Sequence, residues 1–152
     1  MNFEELSIRL KQIEPSAEVA QGKQYTEVVV EPAVLHAFAK KLKETPDLAF
    51  DYMFCLSGVD FNDHFKVVYH LQSTKTNTVL VLKVKITDRN NPQTDSLSDL
   101  YETAELNERE VYDLFGIKFL NHRDLRRILL PEDWIGYPLR KDYKDEFTNV
   151  AP

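Results

Sequence analysis

With 152 residues, 43% of them hydrophobic and 29% charged, the chain is long enough for one core of its own, since a domain of this size buries roughly 70% of its unfolded surface. A net charge of −6 excludes nucleic acid as the partner, because a phosphate backbone needs a clustered positive surface. The single cysteine excludes an internal disulfide and cannot alone supply the ligands of an iron–sulfur cluster.

The start, MNFEELSIRLKQIEP, lacks the basic end, apolar middle and cleavage site of a signal peptide, which leaves the cytoplasm as the expected compartment. In it, Phe3, Leu6, Leu10 and Ile13 recur at three- and four-residue steps and predict a short amphipathic helix ended by Pro15. Ala17 to Ala20 and Tyr25 to Glu31 flank a turn-prone Gln21-Gly22-Lys23-Gln24, the pattern of a hairpin. Pro32 suits the first position of a second helix, on which Val34, Leu35, Phe38 and Leu42 face inward and Lys40, Lys41, Lys43 and Glu44 form a solvated face before Thr45-Pro46 stops it. Phe50 to Phe61 then reads as strand, and Asn62-Asp63 as a turn. Phe65, Val67, Tyr69 and Leu71, and later Leu80, Leu82, Val84 and Ile86, alternate with residues such as Lys66, His70, Lys83 and Lys85. Such alternation predicts an antiparallel meander with one face inward. Apolar runs such as Val79 to Leu82 fall far short of the ~20 residues of a membrane-spanning helix, so no direct span is expected.

Asp88 to Ser96 is a polar, Pro-containing break and the expected end of the sheet domain. Beyond it Leu97, Leu100, Ala104, Val111, Leu114 and Phe115 restore the helical period, with a possible break near Thr103 and Gly116 at the C-cap. Pro131, Gly136 and Pro138 then limit regular structure to single turns. The expected fold is α+β: a mostly antiparallel sheet with helices packed on one face, followed by a helix and an extended C-terminal arm. The corresponding divisions are a sheet domain at 1–95, a helical segment at 96–116 and an irregular docking arm at 117–152.

The chemistry-bearing residues crowd between Glu108 and Tyr143. Glu108, Glu110 and Asp113 could share acid–base work, but helical rotation separates Glu108 from Glu110, while Glu105, Arg109 and Asp113 fall four apart and predict an ion-paired ladder. His36, His64, His70 and His122 are scattered without ligand spacing, so no metal site is expected. Gly22, Gly58, Gly116 and Gly136 are too far apart to form a phosphate-cradling loop, and Ser57-Gly58 lacks a nucleophile-elbow pattern. Arg123, Arg126, Arg127, Arg140 and Lys141 are balanced by Asp124, Glu132, Asp133 and Asp142. In the same stretch Leu129, Leu130, Trp134, Ile135, Tyr137, Leu139 and Tyr143 need a surface to lie on. Trp, Tyr and Arg are the residue types that dominate protein interfaces, which points to docking rather than catalysis.

The runs Glu108-Arg109-Glu110, Asp113-Leu114-Phe115-Gly116-Ile117, His122, Asp124 to Leu129, Pro131 to Trp134 and Pro138 to Tyr143 resemble the C-type subunit of NADH:quinone oxidoreductase, respiratory complex I. Leu106 and Arg123 depart from that pattern, where an aromatic residue and a proline are usual. The resemblance implies a structural or assembly subunit with no cofactor of its own, in the peripheral arm near the quinone-reducing end. It implies the D-type and B-type subunits as partners and the cytoplasmic side of the inner membrane as the location. FMN, iron–sulfur clusters and quinone would be held by other subunits, in a complex that moves electrons from NADH to quinone and translocates protons. Since the chain stops just after the motif, a separate C-type polypeptide rather than a C–D fusion is expected. The interface residues implied are Glu108, Arg109, Glu110, Asp113, His122, Arg126, Arg127, Trp134, Arg140, Lys141, Asp142 and Tyr143. Two other readings stay open: a homologous member of a ferredoxin-, F420- or hydrogenase-linked membrane complex, and a small enzyme using Glu108, Glu110, Asp113 or His122.

Overall fold

In chain order the elements are α1 (Phe3–Ile13), β1 (Glu18–Gln21), β2 (Thr26–Val30), α2 (Pro32–Glu44), β3 (Tyr52–Asp60), β4 (Phe65–Gln72), β5 (Val79–Ile86), β6 (Gln93–Asp95), α3 (Glu102–Phe115) and β7 (Lys118–Leu120). They are those of a computed structural model that describes residues 1–144. α1 starts on a capping box: the Asn2 side chain accepts from the Glu5 N–H at 2.9 Å while the Glu5 carboxylate accepts from the Asn2 N–H, an arrangement worth about 1 kcal/mol. α2 opens with Pro32 at its first turn, as expected.

The period-two pattern sets the sheet. Phe65, Val67, Tyr69 and Leu71 of β4 and Leu80, Leu82, Val84 and Ile86 of β5 are all buried, and β3, β4 and β5 pair antiparallel as a meander. The strand order is β1-β2-β5-β4-β3. β2 lies parallel to β5, a pairing that needs a crossover, supplied here by α2 and the β3–β4 hairpin. Asn62 takes φ 75° in that hairpin's turn, a conformation that asparagine tolerates.

Leu6 and Leu10 of α1, Leu35, Phe38 and Leu42 of α2, and Ala104, Val111 and Phe115 of α3 join the inward sheet residues in one hydrophobic cluster. That cluster continues through Leu97, Ile117 and Phe119. Two details differ from the sequence reading. The polar break contains a strand, β6, which pairs parallel with β7 and buries Thr94; three residues are too few to display a period. And Lys43 leaves the solvated face of α2, its ammonium donating to the Leu100 carbonyl at 2.5 Å above the Tyr101 ring.

Candidate docking surface built on the last helix

α3 runs as one helix without a break at Thr103, because the turn over residues 98–100 precedes it. It ends on Gly116 at φ +75°, whose N–H bonds the Tyr112 carbonyl at 2.8 Å. A Cβ there would lie 2.6 Å from the Tyr137 ring, so glycine is required both by the backbone conformation and by the arm packed against it.

The predicted ladder along this helix does not form. Arg109 donates to the carbonyls of Arg126 and Arg127 at 3.1 and 3.2 Å, Glu105 pairs with Arg123 at 2.6 Å, and Asp113 is fully buried under the arm. An exposed pair four residues apart is worth only about 0.3–0.5 kcal/mol, whereas buried chain carbonyls and N–H groups must be satisfied. Asp113 meets that demand. One of its carboxylate oxygens accepts from the consecutive N–H groups of Ile128, Leu129 and Leu130 at 3.2, 2.7 and 3.0 Å, and the other accepts from Arg127 at 2.9 Å. Burial pushes its pKa up, but the N–H groups of Leu130 and Leu129 and the Arg127 guanidinium outweigh it and hold the carboxyl below its usual range.

The rest of the arm is fastened the same way. Arg127 also reaches the Gly136 carbonyl at 2.8 Å and lies over the Tyr137 ring. Leu139 N–H bonds the Leu114 carbonyl, and Arg140 donates to the Phe115 carbonyl from a position over both Phe65 and Tyr137. The end of the arm is held by a residue that sequence reading passed over: Asp60, at the end of β3, accepts from Lys141 N–H at 2.9 Å, from Asn62 N–H and from both terminal nitrogens of Arg89. Burial raises its pKa, yet Arg89 and these two N–H groups bring it down to about 2. No spacing links positions 60, 89 and 141, so only the fold could reveal the cluster.

The remaining acid behaves oppositely. Glu108 is fully buried, accepting from Ser96 Oγ at 2.5 Å and Leu97 N–H at 2.8 Å, and burial lifts its pKa to about 7 against those bonds. His122 Nδ1 accepts from Asp124 N–H, which places the ring hydrogen on Nε2, donating to the Glu105 carbonyl at 2.8 Å and 4.0 Å from Glu108. A pair of this kind could move a proton, and in this structure neither side chain has exposed surface. Glu110, facing the other way, is exposed, as helical geometry requires.

The structure therefore sorts the candidate residues. Glu108, Arg109, Asp113 and His122 are bonded inside the chain. Arg127, Arg140 and Tyr143 brace the arm, the Tyr143 ring packing 3.0 Å from where a Cβ on Gly136 would stand. Glu110, Arg126, Trp134, Lys141 and Asp142 are exposed. Apolar side chains stand out around them: Ile128 39% exposed, Leu129 60%, Trp134 39%, Ile135 89% and Leu139 53%. Ile128 joins this set unpredicted. Among the described residues no group of three or more His, Cys, Asp or Glu side chains is placed to hold a metal ion, and no helix is long and apolar enough to cross a membrane.

Residues 28–148 match the family described as the respiratory-chain NADH dehydrogenase 30 kDa subunit. The C-type subunit of NADH-quinone oxidoreductase from Herpetosiphon aurantiacus is 41% identical over 127 residues, which is 82% of this chain and 74% of that one. The fused C/D-type subunit of NADH-quinone oxidoreductase from Phocaeicola vulgatus is 45% identical over 116 residues, 76% of this chain but 22% of the relative. The chain thus spans well under two thirds of several relatives that it matches, from 22% to 45% of their length. A chain in the structure of the membrane-bound sulfane sulfur reductase, an archaeal respiratory membrane complex, superposes with a TM-score of 0.79 at 26% identity, covering 95% of this chain and 86% of that one.

Proposed function

The chain belongs to the family of the respiratory-chain NADH dehydrogenase 30 kDa subunit, and from that premise we propose that it is a docking subunit, with no redox centre of its own, of a membrane-bound NADH:quinone oxidoreductase. One observation carries the reading: an arm whose backbone is fixed from within by Asp113, Arg109 and Asp60 holds Leu129, Trp134, Ile135 and Leu139 out in solvent. Apolar groups held rigidly away from their own core are anchors for another surface. The partner is a D-type subunit, a choice supported by relatives in which the C and D types form one polypeptide, with a B-type subunit as a further neighbour. FMN, iron–sulfur clusters and quinone belong to other subunits, which pass electrons from NADH to quinone and couple this to proton translocation. The chain is held at the cytoplasmic side of the inner membrane through the complex.

The likeness to a chain of a different respiratory membrane complex, a sulfane sulfur reductase, supports a second reading, a homologous member of a ferredoxin-, F420- or hydrogenase-linked membrane complex. Affinity purification from membranes separates the two. Recovery of the D- and B-type subunits together with NADH-oxidising, FMN-containing subunits supports the first; the same core recovered with a ferredoxin-dependent module supports the second. Recovery of the chain alone, as a monomer, overturns both.

A further inference from the structure

β3 closes one side of the five-stranded sheet, and among the described residues no strand pairs with its outer side. Its free backbone groups can be assigned from the ladder. Phe61 N–H bonds the His64 carbonyl at 2.9 Å to close the hairpin, and antiparallel pairs alternate between bonded and non-bonded. Val59, Ser57 and Cys55, opposite Lys66, Val68 and His70, therefore direct their N–H and C=O groups toward β4. Leu56, Gly58 and Asp60, in the intervening positions, turn theirs away from the sheet, and none of their N–H groups bonds another described residue.

Between Cys55 and Asp60 this edge lacks most of the features by which proteins ordinarily protect one. Charged side chains, proline and short length deter strand pairing. β3 is nine residues long, with the sequence YMFCLSGVD; it contains no Lys, Arg or Pro, and its one acid, Asp60, is buried. The bulge between Met53 and Cys55 leaves the run from Cys55 to Asp60 in regular register. Beside it stand Tyr52, Phe54, Val59 and Phe61, between 37% and 48% exposed. At the opposite side of the sheet, β1 is only four residues, EVAQ, with Glu18 and Gln21 exposed.

We propose that the edge of β3 from Cys55 to Asp60 receives an added strand from the partner that the arm grips, an extended and largely uncharged segment of the D-type chain with apolar side chains beside Val59 and Phe61. The inference rests on the docking reading for its occupant. What links the two surfaces is continuity: Lys141 N–H is bonded to the Asp60 carboxylate, so the end of the arm and the end of β3 meet, and a partner lying along one reaches the other. Strand addition supplies affinity through main-chain hydrogen bonds, and alternate side chains then set specificity.

The test uses the full chain, free and co-expressed with its D-type partner. Hydrogen exchange in the complex should slow at the amides of Leu56, Gly58 and Asp60 by about a hundredfold or more. Val59→Lys, an exposed outward position, should leave the melting temperature of the free chain unchanged and weaken partner capture by at least about tenfold. Ile135→Asp on the arm runs in parallel. If Ile135→Asp abolishes capture while Val59→Lys binds normally and the three amides exchange as in the free chain, the added strand is overturned and docking through the arm stands. If neither variant weakens capture, both readings fall. Protection of these amides in the free chain that grows with concentration, accompanied by a dimer in light scattering, gives the edge to a second copy and overturns the proposal.

Discussion

Asp113 holds a loop that has no regular hydrogen bonding of its own, receiving three successive N–H groups that would otherwise be left unpaired beneath the arm. Asp113→Asn keeps the shape but replaces an oxygen by a donor and removes the charge facing Arg127. A loss of about 3 kcal/mol is expected, the scale of breaking a buried charged network, read in urea denaturation together with faster tryptic cleavage after Arg126 and Arg127. The folded pKa of Asp113 is depressed, so its contribution is present above the unfolded value near 3.8 and disappears as pH falls through the folded one. Glu108 has the opposite sign. Its folded pKa stands at about 7 against 4.5 unfolded, so its protonated form contributes fully below 4.5, and that contribution is lost as pH rises toward 7, on the order of 3 kcal/mol in all. Glu108→Gln should flatten the fall in stability between pH 5 and 7, measured as the urea midpoint across that range. An unchanged slope would show that Glu108 is ionised in the fold throughout.

At the scale of elements, the junction of α3 with the arm turns on Gly116. Gly116→Ala meets both the positive φ and the Tyr137 ring, and is expected to lower stability by about 2 kcal/mol, more than the ~1 kcal/mol of a left-handed alanine alone; thermal melts of the variant, alone and with Tyr137→Ala, would separate the two parts. That glycine was legible in the sequence, as were all three helices, the β1–β2 hairpin and the β3–β4–β5 meander, because each carries a local period or a stop signal. What was not legible is what depends on distant partners. The parallel pairing of β2 with β5 leaves no mark in either strand, β6 and β7 are too short for one, and the Asp60–Arg89–Lys141 meeting joins residues far apart in the chain. The ladder of Glu105, Arg109 and Asp113 failed for a related reason. Four-residue spacing identifies a shared helix face, but says nothing about whether that face meets water or an arm that comes back to cover it.

Over the whole molecule, the residues proposed for docking stand apart from those that stabilise the fold. The core runs from Leu6 to Phe119, whereas Trp134, Ile135 and Leu139 lie outside it. Trp134→Ala and Ile135→Asp should therefore leave the free chain within about 0.5 kcal/mol of its stability while reducing capture of the D-type partner by at least about tenfold; a large drop in melting temperature would instead make these side chains part of the fold. The clasp that Asp113, Arg109 and Asp60 place on the arm also bears on the rate of assembly. Fixing a backbone carries an entropic cost of about 1–2 kcal/mol per residue, and for residues up to Lys141 that cost is met when the chain folds, before any partner arrives. On the docking proposal the arm meets its partner as a rigid shape, so association should run as a single step within the ordinary range of about 10⁵–10⁷ M⁻¹s⁻¹, without a slow phase of ordering after encounter.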